Sequence, residues 1–454
     1  MMKPQDLYFS LPPRLQSVAV TAAGWRNHPS RYGRVYRSAR AALPELDLYP
    51  WPELERVQWA LLDGLFQHAR SSAKFYAHKY RHLPDSFRPT GATLQAVPEL
   101  GKEELRANVE DAYTLSARDS VELHTGGTTG KSLVVRMSMH DMQLRMAILD
   151  HFKARVGFEN RQMRRVTFNG KHIVHADASR PPYWRYNAAV RQLIMSSFHV
   201  TESNLGSYVD ALNDFRPESI DGFFSSIVEV AKYVERSGKR LNFVPIAIFP
   251  TSEMVDEDGR RVIERVFRAP VFNQYSSSEG APFITECQAR TLHVEPVTGV
   301  FEAGPHGDML VTSIQTSGTP LIRYAIGDSI EFGETASCEC GRWTPIIRTI
   351  HGRGNDFLYR SDGAKIQAGN VANIFKNVPN SVIEAQLRQV RIGAVHILIV
   401  VDKSRFEESH LQILRNEFAS KFDRGTTLEI SVVPAIERAK SGKKRLILNE
   451  VEPK

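Results

Sequence analysis

The run His124-Thr125-Gly126-Gly127-Thr128-Thr129-Gly130-Lys131-Ser132 constrains this chain more than any other stretch. It looks like a Walker A loop but fails the spacing. A Walker A loop places about four residues between its first glycine and the closing Gly-Lys-Ser/Thr. Counted back from Gly130, the first-glycine position holds Thr125, and the nearest glycine, Gly126, stands too close. A phosphate cradle is lined by successive backbone N–H groups, so its curvature depends on loop length. The run therefore reads as a phosphate loop of another class, leading into the strand-like Leu133-Val134-Val135. A P-loop kinase is the weakest of the readings.

The length of 454 residues predicts two or more domains. An apolar fraction of 42% and a charged fraction of 24% are ordinary for a globular protein and argue against disorder. The net charge of +7 (58 basic and 51 acidic residues) suits an anionic substrate such as ATP or CoA, and equally a merely basic surface. Without a block of like charges, nucleic-acid binding is not expected. No stretch is apolar enough to span a membrane, and Met1-Met2-Lys3-Pro4-Gln5-Asp6 lacks a signal-peptide core. Three cysteines are too few for a disulfide scaffold, so a cytoplasmic protein is expected.

Residues 1–120 are expected to be mostly helical. Ser138 caps a predicted helix from Met139, on which Met142, Met146 and Leu149 share one face as core filler. Leu205, Tyr208, Val209 and Leu212 form an amphipathic stripe. Strands are predicted at Ile220–Phe224, Val244–Phe249 and Val271–Tyr275, alternating with helices at Ile227–Val234 and around Val262–Phe267. That alternation implies a layered α/β fold with parallel strands. From about Gly307 the pattern turns β-rich. The last hundred residues read as a small α+β unit: strands Val382–Val390 and Ala394–Val401, helix Glu407–Phe422, strand Leu428–Val433. The glycine-rich His351-Gly352-Arg353-Gly354-Asn355-Asp356 before it reads as a hinge.

Three further motifs follow the glycine run in order: Asn273-Gln274-Tyr275-Ser276-Ser277-Ser278-Glu279-Gly280, Pro320-Leu321-Ile322-Arg323-Tyr324-Ala325-Ile326-Gly327-Asp328, and the hinge, with Ser441-Gly442-Lys443-Lys444-Arg445 near the C-terminus. Together they resemble the adenylate-forming superfamily of acyl-CoA synthetases, luciferases and adenylation domains. Within it, the chain is most similar to the phenylacetate–CoA ligase-like branch that includes capsular polysaccharide biosynthesis proteins. The resemblance runs from about Leu54 to the C-terminus. It implies a large layered α/β domain (1–352), a hinge (353–356) and a small mobile α+β lid (357–454). It also implies activation of a carboxylic acid by ATP to an acyl-adenylate, followed by transfer to CoA. A second reading passes the acyl group to an amine, a sugar or a carrier protein. A third is a zinc-stapled interaction protein that has lost catalysis. Relatives are often homodimers.

The resemblance assigns Thr125, Gly126, Gly127, Thr128, Thr129 and Gly130 to the ATP phosphates, where hydroxyls and free N–H groups meet developing charge. Tyr275 would stack on adenine, with Ser278 nearby, and Ser252 and Glu253 match the segment facing the base. Glu279 would help hold Mg2+, a hard cation suited to a carboxylate. Asp328 would bind the ribose diol with two acceptor oxygens. Arg353 matches the hinge arginine, although Asn355 stands where relatives carry an acid. Lys443 matches the lysine that bridges carboxylate and α-phosphate, and a shift of register would pass that role to Lys444. Phe223 and Phe224 either contact the acyl group or belong to the core.

All three cysteines fall in one set. Cys287 and His293 are followed by Cys338 and Cys340, which bracket Glu339. Cys3His is a closed tetrahedral donor set suited to structural zinc, and some members of the same branch carry a matching one. Incidental cysteines are the alternative.

Overall fold

The computed structural model describes residues 4–124, 133–171, 173–175, 178–304, 308–334, 337–351, 357–361, 365–367, 371, 373–375, 378, 381–419, 421–437 and 445–451. The chain folds as two compact units. One comprises Met1–Thr21, Arg161–Val271 and His351–Lys454, and the other Ala22–Asn160 and Phe272–Ile350.

The first unit is built on a five-stranded sheet in the order Trp184–Asn187, Gln192–Ser196, Arg165–Asn169, Ser219–Phe223, Ala247–Thr251. The last four strands run parallel, and Trp184–Asn187 is an antiparallel edge. Parallel neighbours need crossovers, which the helices Glu202–Phe215 and Phe224–Ser237 supply. Leu205, Tyr208, Val209 and Leu212 are all buried, as the stripe predicts. Every residue of Ser219–Phe223 is buried. Gly222 on it has φ +116°, and a Cβ there would fall 1.9 Å from the Phe168 carbonyl oxygen. Only glycine lets these two strands close.

The same unit carries the C-terminal segment. Its four-stranded sheet runs Thr427–Val432, Ala394–Val401, Val382–Arg391, Ile447–Asn449. The helix Glu408–Ala419 adds Leu414 and Phe418 to a core with Leu387, Ile397 and Ile399. This is the α+β unit expected of the last hundred residues.

The second unit holds a seven-stranded sheet in the order Gly299–Ala303, Asp308–Ser313, Leu321–Phe332, Ile346–His351, Leu292–Val294, Ile284–Glu286, Gln274–Tyr275. Its core joins Leu62, Phe66 and Tyr76 from the helices Trp51–Ser72 and Lys74–Lys79 to Met309, Val311 and Ile322 of the sheet.

Three sequence expectations change. The helix Met139–Ala154 starts where Ser138 predicts, with the Ser138 hydroxyl accepting the Asp141 N–H at 3.0 Å. Its Met142, Met146 and Leu149 are only half-buried, however, and the buried positions mix Ala147, Ile148 and Phe152 with the polar Asp141, Gln143, Arg145, Asp150, His151 and Lys153. Partners explain the polar burial: Asp141 accepts from the Ser317 backbone, Gln143 bonds Tyr36 and Pro29, and Asp150 accepts from Tyr36 and Asn160. Burial of polar groups is tolerated when each is hydrogen-bonded. The strand expected at Val244–Phe249 runs over Ala247–Thr251, after Pro245, and Val244 is exposed. The strand expected at Val271–Tyr275 reduces to a bridge from Val271 to Ile248 and the pair Gln274–Tyr275.

Candidate functional site

The glycine run Thr125–Ser132, with the phosphate-loop residues Thr125, Gly126, Gly127, Thr128, Thr129 and Gly130, lies outside the described residues, as do Arg353 and Lys443. The elements flanking the run are described. Val121–His124 and Val134–Met137 pair antiparallel, with His124 opposite Val134. The run thus joins the arms of a β-hairpin, whereas a Walker A loop leads from a strand into a helix.

In the second unit, Tyr275 closes the edge strand Gln274–Tyr275, and Asp328 lies in Leu321–Phe332 after Gly327 at φ +86°. The Tyr275 hydroxyl donates to Asp328 Oδ2 at 2.6 Å. Ser278 is exposed, while Glu279 beside it is 1% exposed. Lys102, the first residue of the helix Lys102–Ala107, donates from Nζ to Glu279 Oε1 at 3.0 Å.

The backbone between Tyr275 and Phe283 is clamped from one side. Arg145, on Met139–Ala154, donates to the carbonyls of Gly280 (3.0 Å) and Ala281 (2.9 Å) and to Ser276 Oγ (2.7 Å). Its guanidinium lies 4.3 Å from the Phe283 ring centroid. Burial pulls the Arg145 pKa down to about 10, against the favourable charge of Asp141. Ser313 Oγ adds a bond to the Gly280 carbonyl at 2.6 Å. Gly280 itself has φ +103°, and a Cβ there would meet Thr316 Cγ2 at 2.8 Å.

In the first unit, Phe223 and Ser252 sit at or just past the carboxyl ends of two parallel strands, where α/β sheets bind ligands. Ser252 is exposed with φ +67°. The Glu253 carboxylate accepts from Ser225 N (2.7 Å) and Ser225 Oγ (3.0 Å), at the N-terminus of Phe224–Ser237. An anion is favourable there because the helix exposes unpaired N–H groups. Phe224 packs in the hydrophobic core, while Phe223 is buried at the strand–helix turn.

The cysteine set converges. The ligand atoms of Cys287, His293, Cys338 and Cys340 all lie within 4.8 Å of one another. Cys287 Sγ is 3.7 Å from Cys338 Sγ, and Cys340 Sγ is 3.6 Å from His293 Nε2. A tetrahedron with Zn–S of about 2.3 Å and Zn–N of about 2.0 Å has edges of roughly 3.5–3.8 Å, so both pairs fit zinc. His293 directs Nδ1 at Thr344, 3.2 Å from its hydroxyl and 3.4 Å from its carbonyl, which fixes the ring and leaves Nε2 as the ligand. Burial, with Arg342 nearby, lowers the His293 pKa to about 4, keeping the imidazole neutral. Burial and the neighbouring thiols push Cys340 up to about 12, and a cation at the cluster would favour its thiolate.

An ion network adjoins this cluster. Arg155 bonds Asp47 Oδ1 and Glu295 Oε1, both at 2.6 Å, and Arg342 reaches Glu295 Oε1 at 3.1 Å. Burial raises the Asp47 carboxyl, but His151 and Arg155 overcome it and hold its pKa at about 2. Burial also opposes ionisation of Glu295, yet Arg155 and Arg342 keep it well below the usual carboxylate range.

A family model described as the CapK C-terminal domain matches residues 358–450. Protein CapK of Staphylococcus aureus is 32% identical over 452 residues, covering 98% of this chain and 99% of that protein. The chain belongs to the CapK family. Its fold is also that of adenylate-forming ligases. A crystal structure of 2-hydroxyisobutyryl-CoA ligase in the postadenylation state, in complex with R3-HIB-AMP, superposes with a TM-score of 0.69. The match covers 89% of this chain and 91% of that one at 16% identity. The GH3.15 acyl acid amido synthetase gives 0.54 at 12% identity, covering 91% and 94%.

Two residues of this CapK-family chain escape a motif reading. Lys102 and Glu279 lie 177 positions apart, and Arg145 reaches carbonyls 135 and 136 positions on. Neither has a local signal.

Proposed function

We propose that the protein activates a carboxylic acid with ATP, forming an acyl-adenylate and pyrophosphate, and then transfers the acyl group to CoA. The hydrogen bond between Tyr275 and Asp328, four residues from buried Glu279, is the observation that carries this reading. It joins a flat aromatic ring to a diol-binding carboxylate, as a nucleoside requires. A carboxylate oxygen of the acid attacks the α-phosphorus, and the bond to the pyrophosphate oxygen breaks. The CoA sulfur then attacks the acyl carbon, AMP leaves, and the thiol proton passes to solvent.

Asp328 accepts the ribose hydroxyls while the Tyr275 hydroxyl fixes its orientation. Arg145 holds the Ser276–Ala281 backbone, so Glu279 is presented without reorganisation. The Glu279 carboxylate would help hold Mg2+, which requires the Lys102 ammonium now on Oε1 to give way. When bound, that ion neutralises charge on the phosphates. Residues 125–130 would bind the phosphates, and Ser252, Glu253 and Ser278 would bind the nucleotide around the base. Arg353 and Lys443 act from the hinge (353–356) and the mobile lid (357–454), Lys443 on the forming acyl–phosphate oxygens. Cys287, His293, Cys338 and Cys340 hold a structural zinc, with no open position for substrate.

Incubation with ATP, Mg2+ and a panel of acids, with mass detection of products, tests the reading. Acyl-adenylate without CoA and thioester with CoA are expected. Adenylate without thioester, but with amide on adding amines, would move the acceptor to the chemistry named for the amido synthetase.

A further inference from the structure

The N-terminal helices take no part in this chemistry, yet they hold most of the net charge. Through the end of the helix Arg34–Leu46, residues 1–46 contain Lys3 and six arginines against two acids, Asp6 and Glu45, so they supply +5 of the chain's +7. Within them, the helix Pro13–Arg26 exposes large apolar side chains: Leu15 is 50% exposed, Val18 63% and Trp25 64%. Ala22 is exposed as well.

These positions are not scattered. At 3.6 residues per turn, Leu15, Val18, Ala22 and Trp25 fall within an arc of about 80°, and Arg14 and Arg26 lie about 20° outside its two edges. Both arginines are exposed. The opposite side of the helix faces protein: Gln16 is buried, donates to the Leu11 carbonyl at 2.8 Å and accepts from Arg185 Nε at 2.6 Å. One face is thus anchored, and the other presents an apolar stripe with a cation on each border.

We propose that this face docks on an anionic membrane surface, lying in the interface. The apolar side chains would enter the acyl boundary, Trp25 would sit at the headgroup level, and Arg14 and Arg26 would pair with lipid phosphates while their stems cover the stripe. Charge decides between this occupant and a second copy of the chain. Two identical faces flanked by arginines, from a segment of net +5, repel one another, whereas an anionic leaflet attracts basic groups within a Debye length. The described residues include no helix long and apolar enough to cross a membrane, so contact would be peripheral.

Cosedimentation of the full-length protein with vesicles tests this. Binding is expected to phosphatidylcholine vesicles containing phosphatidylglycerol, to weaken with added salt, and to fail on phosphatidylcholine alone. R14E combined with R26E should lower the partition coefficient by about tenfold or more. V18S combined with W25S should lower it comparably. All four residues are exposed, so unchanged circular dichroism and melting temperature verify the fold. Pyrophosphate exchange in vesicle-free buffer should match the wild type, which separates this proposal from the adenylation reading. Absence of binding to anionic vesicles, or equal binding to neutral ones, would overturn it. So would a dimer that V18S/W25S dissociates in a protein that ignores vesicles, since that assigns the face to a second copy.

Discussion

Asp328 receives the Tyr275 hydroxyl, Glu279 receives Lys102, and Arg145 ties down the backbone between them. Tyr275 and Asp328 each stand in a recognisable motif, but the hydrogen bond between them was not legible in the sequence. Nor were the other contacts, because side chains far apart in sequence leave no periodic trace. Their effects should separate. E279Q keeps the shape and removes the charge, and should lower pyrophosphate exchange by about a hundredfold while leaving the melting temperature within a few degrees. R145M leaves the Gly280 and Ala281 carbonyls short of a donor and lets the loop drift. It should cost about 1–3 kcal/mol of stability and about ten- to a hundredfold in exchange rate. Parallel calorimetry and exchange assays check both, and an R145M protein with full exchange would remove Arg145 from the site's support.

At the scale of elements, the helix Met139–Ala154 shows where pattern reading stops. Its start was legible from Ser138, a local cap, but its buried face was not. Hydrophobic periodicity assumes that the buried side is apolar, and here Asp141, Arg145 and Asp150 are buried because partners on distant segments satisfy them. The cysteine set was legible for the opposite reason: its chemistry is rare enough that composition alone assembled it. Metal analysis should find one zinc per chain, and C338S should lower it. A strong chelator should lower the melting temperature and loosen the strands Ile284–Glu286 and Leu292–Val294, measured by hydrogen exchange. The adjoining ion network gives the element its acid limit. Asp47 and Glu295 have depressed folded pKa values, so their stabilisation is fully present above the unfolded value of about 4 and is lost as pH falls. The melting temperature should hold to about pH 5 and drop from about pH 4 towards 2. R155M leaves Glu295 with Arg342 and Asp47 with His151, and should cost about 1–3 kcal/mol.

At the scale of the molecule, the alternation of strands and helices made the α/β class and the C-terminal α+β segment legible. The exact strand limits near Pro245 and Val271 were set by packing rather than propensity. The proposed role of Lys443 is directly testable. K443A should impair adenylation far more than thioester formation from a preformed adenylate, and equal loss in both half-reactions would contradict its role. The most direct test of the whole account is exchange of labelled pyrophosphate into ATP, screened across aryl, fatty, hydroxy and amino acids. The account predicts exchange that requires Mg2+, depends on one class of acid and falls about a hundredfold in E279Q. Silence with every acid, in a protein that also fails to bind ATP, would contradict it.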